Sequence, residues 1–295
     1  MIALASINKW HIHQLDVNNA FLHGDLQEDV YMLVPQGITT YKPNQVCKLL
    51  KSLYGLKQAS MKWYEKLTSL LLQHYYSQSN VDHSLFIKHT STSLIVLLVY
   101  VDDVIVAGDS LEEFQSIKNI LHSSFQIKDF SQLKYFLGLE VAHSSQWIFL
   151  WQRKYCLDLL TDIGYLASKP VSTPSDPSFK LHSDNSAPYT DVPSYRRLIG
   201  RLIYLTNIRP DITFATQQLS QFLTSPTEKH YLAETRILRY LKKRPGQGLF
   251  FPRQSPLFLF GFSNADWVGC LDSRRSIFGQ CFFLGNSLIS WRTKK

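Results

Sequence analysis

The sequence predicts an α+β fold, in which helices pack against an antiparallel sheet. Two apolar runs rich in β-branched residues, Leu94–Val101 and Val104–Ala107, predict two strands joined by a tight turn. Apolar residues at helical spacing come before and after these runs, which predicts amphipathic helices. The resulting order along the chain is strand, helix, two strands, helix and further strands. This order is typical of helices packed on an antiparallel sheet.

The composition indicates a globular chain large enough for two domains or subdomains. It has 295 residues, 45% of them hydrophobic, and a formal net charge of +8. This charge suggests an anionic partner, first of all nucleic acid, although a basic surplus also serves solubility. The four cysteines lack metal-ligand or disulfide spacing, and no apolar run approaches the roughly 20 residues that span a bilayer. We therefore expect reduced thiols, no zinc site and no membrane association.

The first predicted strand ends at an acidic residue. Ile12–Phe21 alternates at first and places Asp16 just before a turn at Asn18 and Asn19. Asp16 could simply cap this turn. Alternatively, it could supply one oxygen ligand of a metal site, because metal-dependent phosphoryl chemistry needs acidic groups from more than one strand.

A glycine lies between aromatic and basic residues in the next segment, Lys48–Ala59. Here Lys57 and Gln58 could approach a phosphate or a base, or the segment could be a solvated connection from strand to helix. The helix that follows carries on one face Trp63, Leu67, Leu70 and Leu71.

Two adjacent carboxylates, Asp102 and Asp103, lie at the tip of the predicted hairpin. At a separation of about 4 Å they would repel by about 4 kcal/mol in a partly buried site, unless a cation or a proton lies between them. A divalent metal would relieve this repulsion, whereas an exposed turn would leave both side chains in water. This stretch alone leaves both interpretations open.

Helices and strands alternate up to Gly164, which suits the end of a helix. Ser110 and Glu113 form a capping-box pattern at the start of one of these helices. This helix carries toward a core Leu111, Phe114, Ile117 and Leu121. The segment Leu133–Val141 comes next, and a short strand is predicted after it at Trp147–Trp151.

The rest of the chain changes in composition at Ser168–Pro193, whose five prolines among serines and aspartates predict an exposed linker. Helices are predicted at Ser194–Asn207, Asp211–Leu223 and Thr227–Arg244. Short strands are predicted at Leu257–Ser263, Ile277–Leu284 and Ser287–Trp291. The last helix carries a basic strip, which could neutralise a phosphate backbone or face solvent, made of Arg236, Arg239, Lys242, Lys243 and Arg244. The predicted domains are residues 1–167, 168–193, 194–247 and 248–295.

Four motifs occur in order along the chain. They are QLDVNNAFLHGDL at Gln14–Leu26, SLYGLKQAS at Ser52–Ser60, YVDD at Tyr100–Asp103 and YFLGLEV at Tyr135–Val141. With further similar segments between residues 195 and 275, they resemble the reverse transcriptase region of copia-type LTR retrotransposon polyproteins. The resemblance covers essentially the whole chain.

This resemblance implies a right-hand polymerase palm over residues 1–167, a helical thumb or connection segment and a truncated RNase H-like sheet at the C-terminus. In such a palm, Asp16 and Asp102 would hold two Mg²⁺ or Mn²⁺ ions, and Asp103 would assist from the same hairpin. One ion would lower the pKa of the primer 3′-hydroxyl, and the other would neutralise the triphosphate and the leaving pyrophosphate. These three aspartates are the implied catalytic and metal-binding residues.

The resemblance also implies contacts to nucleotide, primer and template. Phe21 lies five residues after Asp16, where related polymerases keep an aromatic ring against the ribose 2′-hydroxyl. The other implied contacts are Lys57, Gln58, Tyr100, Val101, Phe136, Leu137 and Gly138. The implied partners are an RNA template, a DNA primer, dNTPs and other parts of the retrotransposon polyprotein. The implied location is intracellular, in cytoplasmic virus-like particles or in the nucleus.

Three departures from the family pattern bear on activity. Met61 replaces an arginine that usually follows Gln58-Ala59 after one residue, and only fifteen residues precede Asp16, so most of the fingers subdomain is expected to be missing. Asn264 stands where the first nuclease carboxylate is typical, and an amide binds Mg²⁺ poorly. We therefore expect no RNase H activity and weak or absent polymerase turnover. The alternative to a polymerase fragment is an inactive retroelement remnant that retains nucleic-acid binding.

Overall fold

The computed structural model describes residues 1–39, 42–176, 181–183 and 186–295. In chain order, the first elements are α1 (Ile2–Ile7), β1 (His11–Val17), β2 (Asp25–Leu33), β3 (Val46–Lys51), α2 (Ala59–Gln73), β4 (Ser77–Gln78), β5 (Leu85–His89), β6 (Leu94–Tyr100), β7 (Asp103–Gly108), α3 (Leu111–Ser124) and β8 (Ile127–Gln132). They are followed by β9 (Tyr135–Phe136), β10 (Leu139–His143), β11 (Trp147–Trp151), α4 (Arg153–Asp162), α5 (Val192–Leu205), α6 (Thr213–Leu219), α7 (Glu228–Lys243), β12 (Leu249–Pro252), β13 (Leu259–Ala265), β14 (Phe278–Leu284) and β15 (Ser287–Lys294).

The chain forms two compact units. The first consists of Met1 and residues 8–133, and the second consists of residues 2–7 and 134–295. The predicted domain boundaries after residues 167, 193 and 247 fall inside the second unit and stay a prediction. Within the described ranges, no helix is both long enough and apolar enough to cross a membrane.

The first unit is built on a six-stranded antiparallel sheet with the order β4-β5-β6-β7-β1-β8. The hairpin of β6 and β7 pairs from Ile95 and Gly108 at one end to Tyr100 and Asp103 at its tip. Strand β1 lies between β7 and β8, so it occupies the interior of the sheet. This arrangement confirms the predicted α+β class with antiparallel strands.

Helices α2 and α3 share one hydrophobic core with strands β1, β6 and β7. The predicted apolar face of α2 is confirmed, since Trp63, Leu67 and Leu71 are buried and Leu70 packs against the core from a partly buried position. The spacing of these residues, three or four positions apart, puts them on one side of the helix.

The apolar face of α3 is also buried, with one exception. The prediction that Leu111 faces the core is wrong: it is the first residue of the helix and is 56% exposed. One of the two hydrogen bonds of the predicted capping box is formed: Ser110 Oγ accepts a hydrogen bond of 3.4 Å from the Glu113 backbone N–H. The Glu113 carboxylate instead pairs with Lys88 Nζ on β5, at 3.0 Å.

The second unit combines helices α4 to α7, which share a core, with two antiparallel sheets ordered β12-β11-β10-β9 and β13-β14-β15. The predicted C-terminal strands are found within three residues of their expected bounds. The predicted helix Asp211–Leu223 is interrupted, because only Thr213–Leu219 is α-helical and short 3₁₀ turns flank it at Pro210–Ile212 and Ser220–Phe222.

The basic strip of α7 makes internal contacts. Arg236 donates from NH2 to Thr173 Oγ1 at 2.9 Å, and its NH1 lies 3.4 Å from the Asp176 carboxylate. Arg239 Nε donates to the Lys169 carbonyl at 2.8 Å. These two cations therefore tie the segment after α4 to the helix, and the role of the strip in binding a phosphate backbone stays a prediction.

Candidate active site

The tip of the β6–β7 hairpin is a two-residue turn formed by Val101 and Asp102. Val101 has φ +57°, a left-handed conformation that is unusual for a β-branched residue. A positive φ at the first central residue is what tight hairpin turns require, because it matches the right-handed twist of the strands. The sequence thus places a strained residue directly before one of the predicted catalytic aspartates.

Two hydrogen bonds from neighbouring elements hold this turn. Trp63, on α2, donates from Nε1 to the Val101 carbonyl at 2.6 Å. The backbone N–H of Val17, at the end of β1, donates to the Asp102 carbonyl at 2.8 Å. The carbonyl groups of the peptide bonds before and after Asp102 are therefore both held by hydrogen bonds.

The structure brings the three predicted aspartates together at one end of the sheet. Asp16 on β1 is the direct cross-strand partner of Asp103 on β7. Asp102 lies next to them in the turn, bonded through its carbonyl to the residue that follows Asp16. Strands β1 and β7, which are not consecutive in the chain, thus place Asp16 and Asp103 at the same end of the sheet.

The electrostatics of this cluster favour a cation. The pKa of Asp16 is raised above its usual value, mainly by burial of the carboxyl group and then by the negative charges of Asp102 and Asp103. Lys128, the cross-strand partner of Asp16 on β8, acts in the opposite direction. Three ionised carboxylates here carry a free-energy cost that a bound cation would remove.

Gln14 is a site residue that the sequence analysis missed. Its side-chain Nε2 donates a hydrogen bond of 2.9 Å to Asp103 Oδ1. The available signal was the alternation of β1, because residues two apart on a strand share a face and Gln14 is two residues before Asp16. This amide orients Asp103 without adding charge.

The carboxylates suit a divalent metal in their donor type. Within the described ranges, no three His, Cys, Asp or Glu side chains are gathered closely enough to hold a metal ion by themselves. Mg²⁺, however, is usually held by one or two carboxylates together with waters and substrate phosphates, rather than by an all-protein cage. Asp16, Asp102 and Asp103 fit this kind of incomplete, oxygen-rich site.

Phe21 lies in a 3₁₀ turn, Ala20–His23, just after β1. Its ring packs on that of Tyr54, with centroids 4.6 Å apart. The pKa of Tyr54 is raised by burial and then by the negative charge of Asp102, with a smaller contribution from Asp16, so the Tyr54 hydroxyl lies within electrostatic range of these two carboxylates. Tyr54 is a second residue that the sequence analysis missed, although it lies within one of the quoted motifs.

The other predicted contacts in the first unit are accessible. Tyr100 and Val101 are exposed at the hairpin tip, and Lys57 is exposed just before α2. Gln58 is half-buried directly before the first residue of α2.

The predicted primer-grip residues belong to the second unit. Phe136 is buried at the end of β9, and Leu137 and Gly138 form the turn to β10 with φ +48° and +79°. The hydroxyl of Tyr204, on α5, donates to the Leu137 carbonyl at 2.5 Å. This turn therefore resembles the one at Val101 in being strained and held by an aromatic side chain.

Asn264 is exposed on β13, opposite Gly279 on β14. The nearby Asp266 is engaged locally, since its Oδ1 accepts a hydrogen bond of 2.6 Å from the Ile277 backbone N–H.

Comparison with known proteins gives the family of this chain. Residues 1–177 match the family described as reverse transcriptase (RNA-dependent DNA polymerase). The chain belongs to this family, in the copia-type group found in retrotransposon Pol polyproteins.

Individual relatives agree with this assignment. The retrovirus-related Pol polyprotein from transposon RE1 of Arabidopsis thaliana is 43% identical over 296 residues, which cover 100% of this chain and 20% of the relative. The corresponding polyprotein from transposon TNT 1-94 of Nicotiana tabacum is 37% identical over 100% of this chain and 23% of the relative. An uncharacterized mitochondrial protein of Arabidopsis thaliana is 38% identical over 68% of this chain and 82% of the relative. The chain thus spans about a fifth of the length of the Pol polyproteins it matches.

Proposed function

We propose that the first unit is the palm of an RNA-directed DNA polymerase, which extends a primer 3′-hydroxyl with two divalent metal ions held at Asp16, Asp102 and Asp103. The observation that carries this proposal is the direct pairing of Asp16 with Asp103, with Asp102 in the adjoining turn. Negative charge gathered from two strands raises the pKa of Asp16, and a cation would relieve it.

The three aspartates and Gln14 have distinct roles in the proposed reaction. Bound Mg²⁺ or Mn²⁺ would supply the charge that activates the 3′-hydroxyl and neutralises the triphosphate and the leaving pyrophosphate. Asp16 and Asp102 would hold these ions, while Asp103, oriented by Gln14, would add negative charge beside them. No side-chain nucleophile is required, because the primer hydroxyl attacks the α-phosphorus.

The surrounding residues would bind nucleotide and primer. The packed rings of Phe21 and Tyr54, the second within electrostatic range of Asp102 and Asp16, would crowd a ribose 2′-hydroxyl and favour dNTPs. Tyr100 and Val101 at the exposed tip would contact the primer terminus, and Lys57 with Gln58 would contact the triphosphate or the RNA template. In the second unit, the turn at Phe136, Leu137 and Gly138 is our candidate primer grip.

The second unit would serve as a helical connection followed by an RNase H-like sheet, β13 to β15. We propose that this sheet has no nuclease activity, because Asn264 presents an amide where a carboxylate would bind Mg²⁺. Other parts of a retrotransposon polyprotein would be the partners of the chain inside the cell, in virus-like particles.

An inactive remnant that binds nucleic acid is the second candidate function. Two substitutions support it: Asn264, and Met61, an exposed apolar residue where the family pattern has arginine. Under this alternative, the carboxylate cluster persists while the contacts that bind the incoming nucleotide are weakened.

Primer extension separates the two functions. The purified chain would be incubated with Mg²⁺, dTTP and a poly(A)/oligo(dT) template, beside Asp102→Asn and the control Asp29→Asn, which alters an exposed acid on β2. Extension by the native chain and the control, but not by Asp102→Asn, supports the polymerase. Template binding without extension by any of the three supports the remnant. Metal-dependent cleavage of an RNA/DNA hybrid by the native chain would contradict the proposed loss of nuclease activity.

A further inference from the structure

We propose that Trp63 is a positioning residue: its buried indole N–H holds the strained turn at Val101, and the metal affinity of the aspartate cluster depends on this one hydrogen bond. The inference rests on the proposed metal-dependent function. It starts from the short hydrogen bond of 2.6 Å between Trp63 Nε1 and the Val101 carbonyl.

The turn needs an external support because of its sequence. Val101 has φ +57°, a conformation that glycine adopts freely and that a β-branched residue disfavours. If Val101 relaxed to a negative φ, the peptide group between Val101 and Asp102 would rotate. Because this peptide group leads directly into Asp102, its rotation would move the Asp102 carboxylate away from Asp16 and Asp103.

Trp63 is itself fixed in place. Its side chain is 1% exposed, and its ring meets that of Phe125 edge-on, with centroids 4.9 Å apart. A buried indole N–H has no water to bond with, so the loss of its acceptor would leave an unsatisfied donor in the core. The core therefore opposes any movement of the Val101 carbonyl.

A second hydrogen bond holds the turn on the other side of Asp102. The Val17 N–H bonds to the Asp102 carbonyl and fixes the far side of Asp102 to the end of β1. Trp63 fixes the near side from α2. With both sides held, the Asp102 side chain starts from a fixed backbone next to Asp16, and less freedom is lost when a metal binds.

Two substitutions can distinguish the contribution of the Trp63 hydrogen bond from that of the packing of its ring. Trp63→Phe keeps an aromatic ring in the core but removes the N–H, so Val101 can relax. Val101→Gly removes the strain, so that the same turn no longer needs the donor. The second substitution should therefore repair the first, which a general loss of packing would not allow.

The first experiment measures Mn²⁺ binding by electron paramagnetic resonance, without nucleic acid. We expect Trp63→Phe to weaken the Asp102-dependent affinity by about 10-fold or more, as losses of supporting contacts around a metal site typically do. Trp63→Phe/Val101→Gly should recover most of this loss. The matched control is Trp291→Phe, which removes a comparable indole-to-carbonyl bond, 2.9 Å to Thr206, in the second unit and should leave the affinity unchanged.

The second experiment needs no metal. Urea unfolding of the native chain, both single variants and the double variant forms a double-mutant cycle, in which Val101→Gly should be more favourable in the Trp63→Phe background than in the native one. Native-like Mn²⁺ affinity in folded Trp63→Phe, or no repair by Val101→Gly in either experiment, would overturn the inference. If the native chain shows no Mn²⁺ binding that depends on Asp102, the proposed function is wrong, and so is the proposed effect of Trp63 on metal affinity. The double-mutant cycle in urea still decides whether Trp63 holds the turn.

Discussion

Gln14 and Asp103 are joined by a hydrogen bond of 2.9 Å that runs from the side-chain Nε2 of Gln14 on β1 to Oδ1 of Asp103 on β7. This neutral donor occupies one carboxylate oxygen of Asp103 and restrains the rotation of the carboxylate group without adding charge. We predict that Gln14→Leu lowers metal affinity or metal-dependent primer extension by about 10-fold, within the usual range for residues that orient a ligand. Isothermal titration with Mn²⁺ measures the affinity directly.

The control for this prediction is Gln115→Leu. Gln115 makes a side-chain hydrogen bond of the same length, 2.9 Å, to Asn119 on the exposed side of α3. An equal effect of both substitutions, or no effect of Gln14→Leu, would show that Gln14 does not orient Asp103.

Asp16 should destabilise the metal-free protein. Its pKa is raised above the usual 3.8, so the folded state binds this proton more tightly than the unfolded state does. The stability associated with the protonated group is therefore present at low pH and is lost as pH rises through the raised pKa. At pH 7 with EDTA, we predict that Asp16→Asn raises the free energy of unfolding by on the order of 1 kcal/mol, because it removes a screened repulsion.

Bound Mg²⁺ should change the difference in stability between the native chain and Asp16→Asn. Mg²⁺ stabilises only the form that binds it, so it should raise the unfolding midpoint of the native chain and leave that of Asp16→Asn unchanged. Urea titrations with EDTA and with Mg²⁺ test both parts. A native chain that is as stable as Asp16→Asn in EDTA would count against repulsion within the cluster.

The sequence was most informative where one pattern decides a local structure. Two apolar runs rich in β-branched residues predicted the β6–β7 hairpin, and spacing predicted the buried face of α2 at Trp63, Leu67 and Leu71. The position of Asp16 in a strand before a turn was equally clear. The pairing of β1 with β7, which makes Asp16 and Asp103 neighbours, is a long-range relationship that only the family resemblance could imply.

The residues that support the site could not be predicted in the same way. Gln14 and Trp63 act through single polar atoms whose partners are far away in sequence. An apolar pattern identifies Trp63 as a core residue and says nothing about the acceptor of its N–H. The contacts of Arg236 likewise depend on where the segment at Thr173 runs, which composition does not determine.

The turn between β9 and β10 should tolerate no side chain at Gly138. A Cβ at this position would lie 2.4 Å from the Tyr204 hydroxyl, and the backbone has φ +79°. We predict that Gly138→Ala lowers the free energy of unfolding by about 1–3 kcal/mol. Tyr204→Phe removes the overlapping oxygen and leaves the strained φ, so it should recover only part of the loss.

Thermal unfolding of the two single variants and the double variant measures this coupling. A full recovery by Tyr204→Phe would show that the hydroxyl overlap alone excludes a side chain at Gly138. Simple addition of the two losses would show that Tyr204 does not control this turn.

Glu234 should make the stability of the second unit depend on pH. It is fully buried on α7, and neither carboxylate oxygen has a hydrogen-bond partner. Burial raises its pKa from 4.5 to about 9, so at neutral pH it is protonated in the folded state and ionised in the unfolded state. Stability from this group is therefore complete at acidic pH and is lost as pH rises through the interval between these values, by at most about 1.4 kcal/mol per pH unit.

Glu234→Gln keeps the shape of the side chain and removes the titration. We predict that the variant is more stable than the native chain at pH 8, and that the advantage shrinks as the pH falls toward 5. Urea unfolding at several pH values gives the difference in the free energy of unfolding between the two proteins. The contributions of the histidines cancel in this difference, because both proteins contain the same histidines. Glu228→Gln, at an exposed position of the same helix, is the control and should keep the native pH dependence. Parallel pH profiles for the native chain and Glu234→Gln would show that the Glu234 carboxyl group titrates normally and is reached by water.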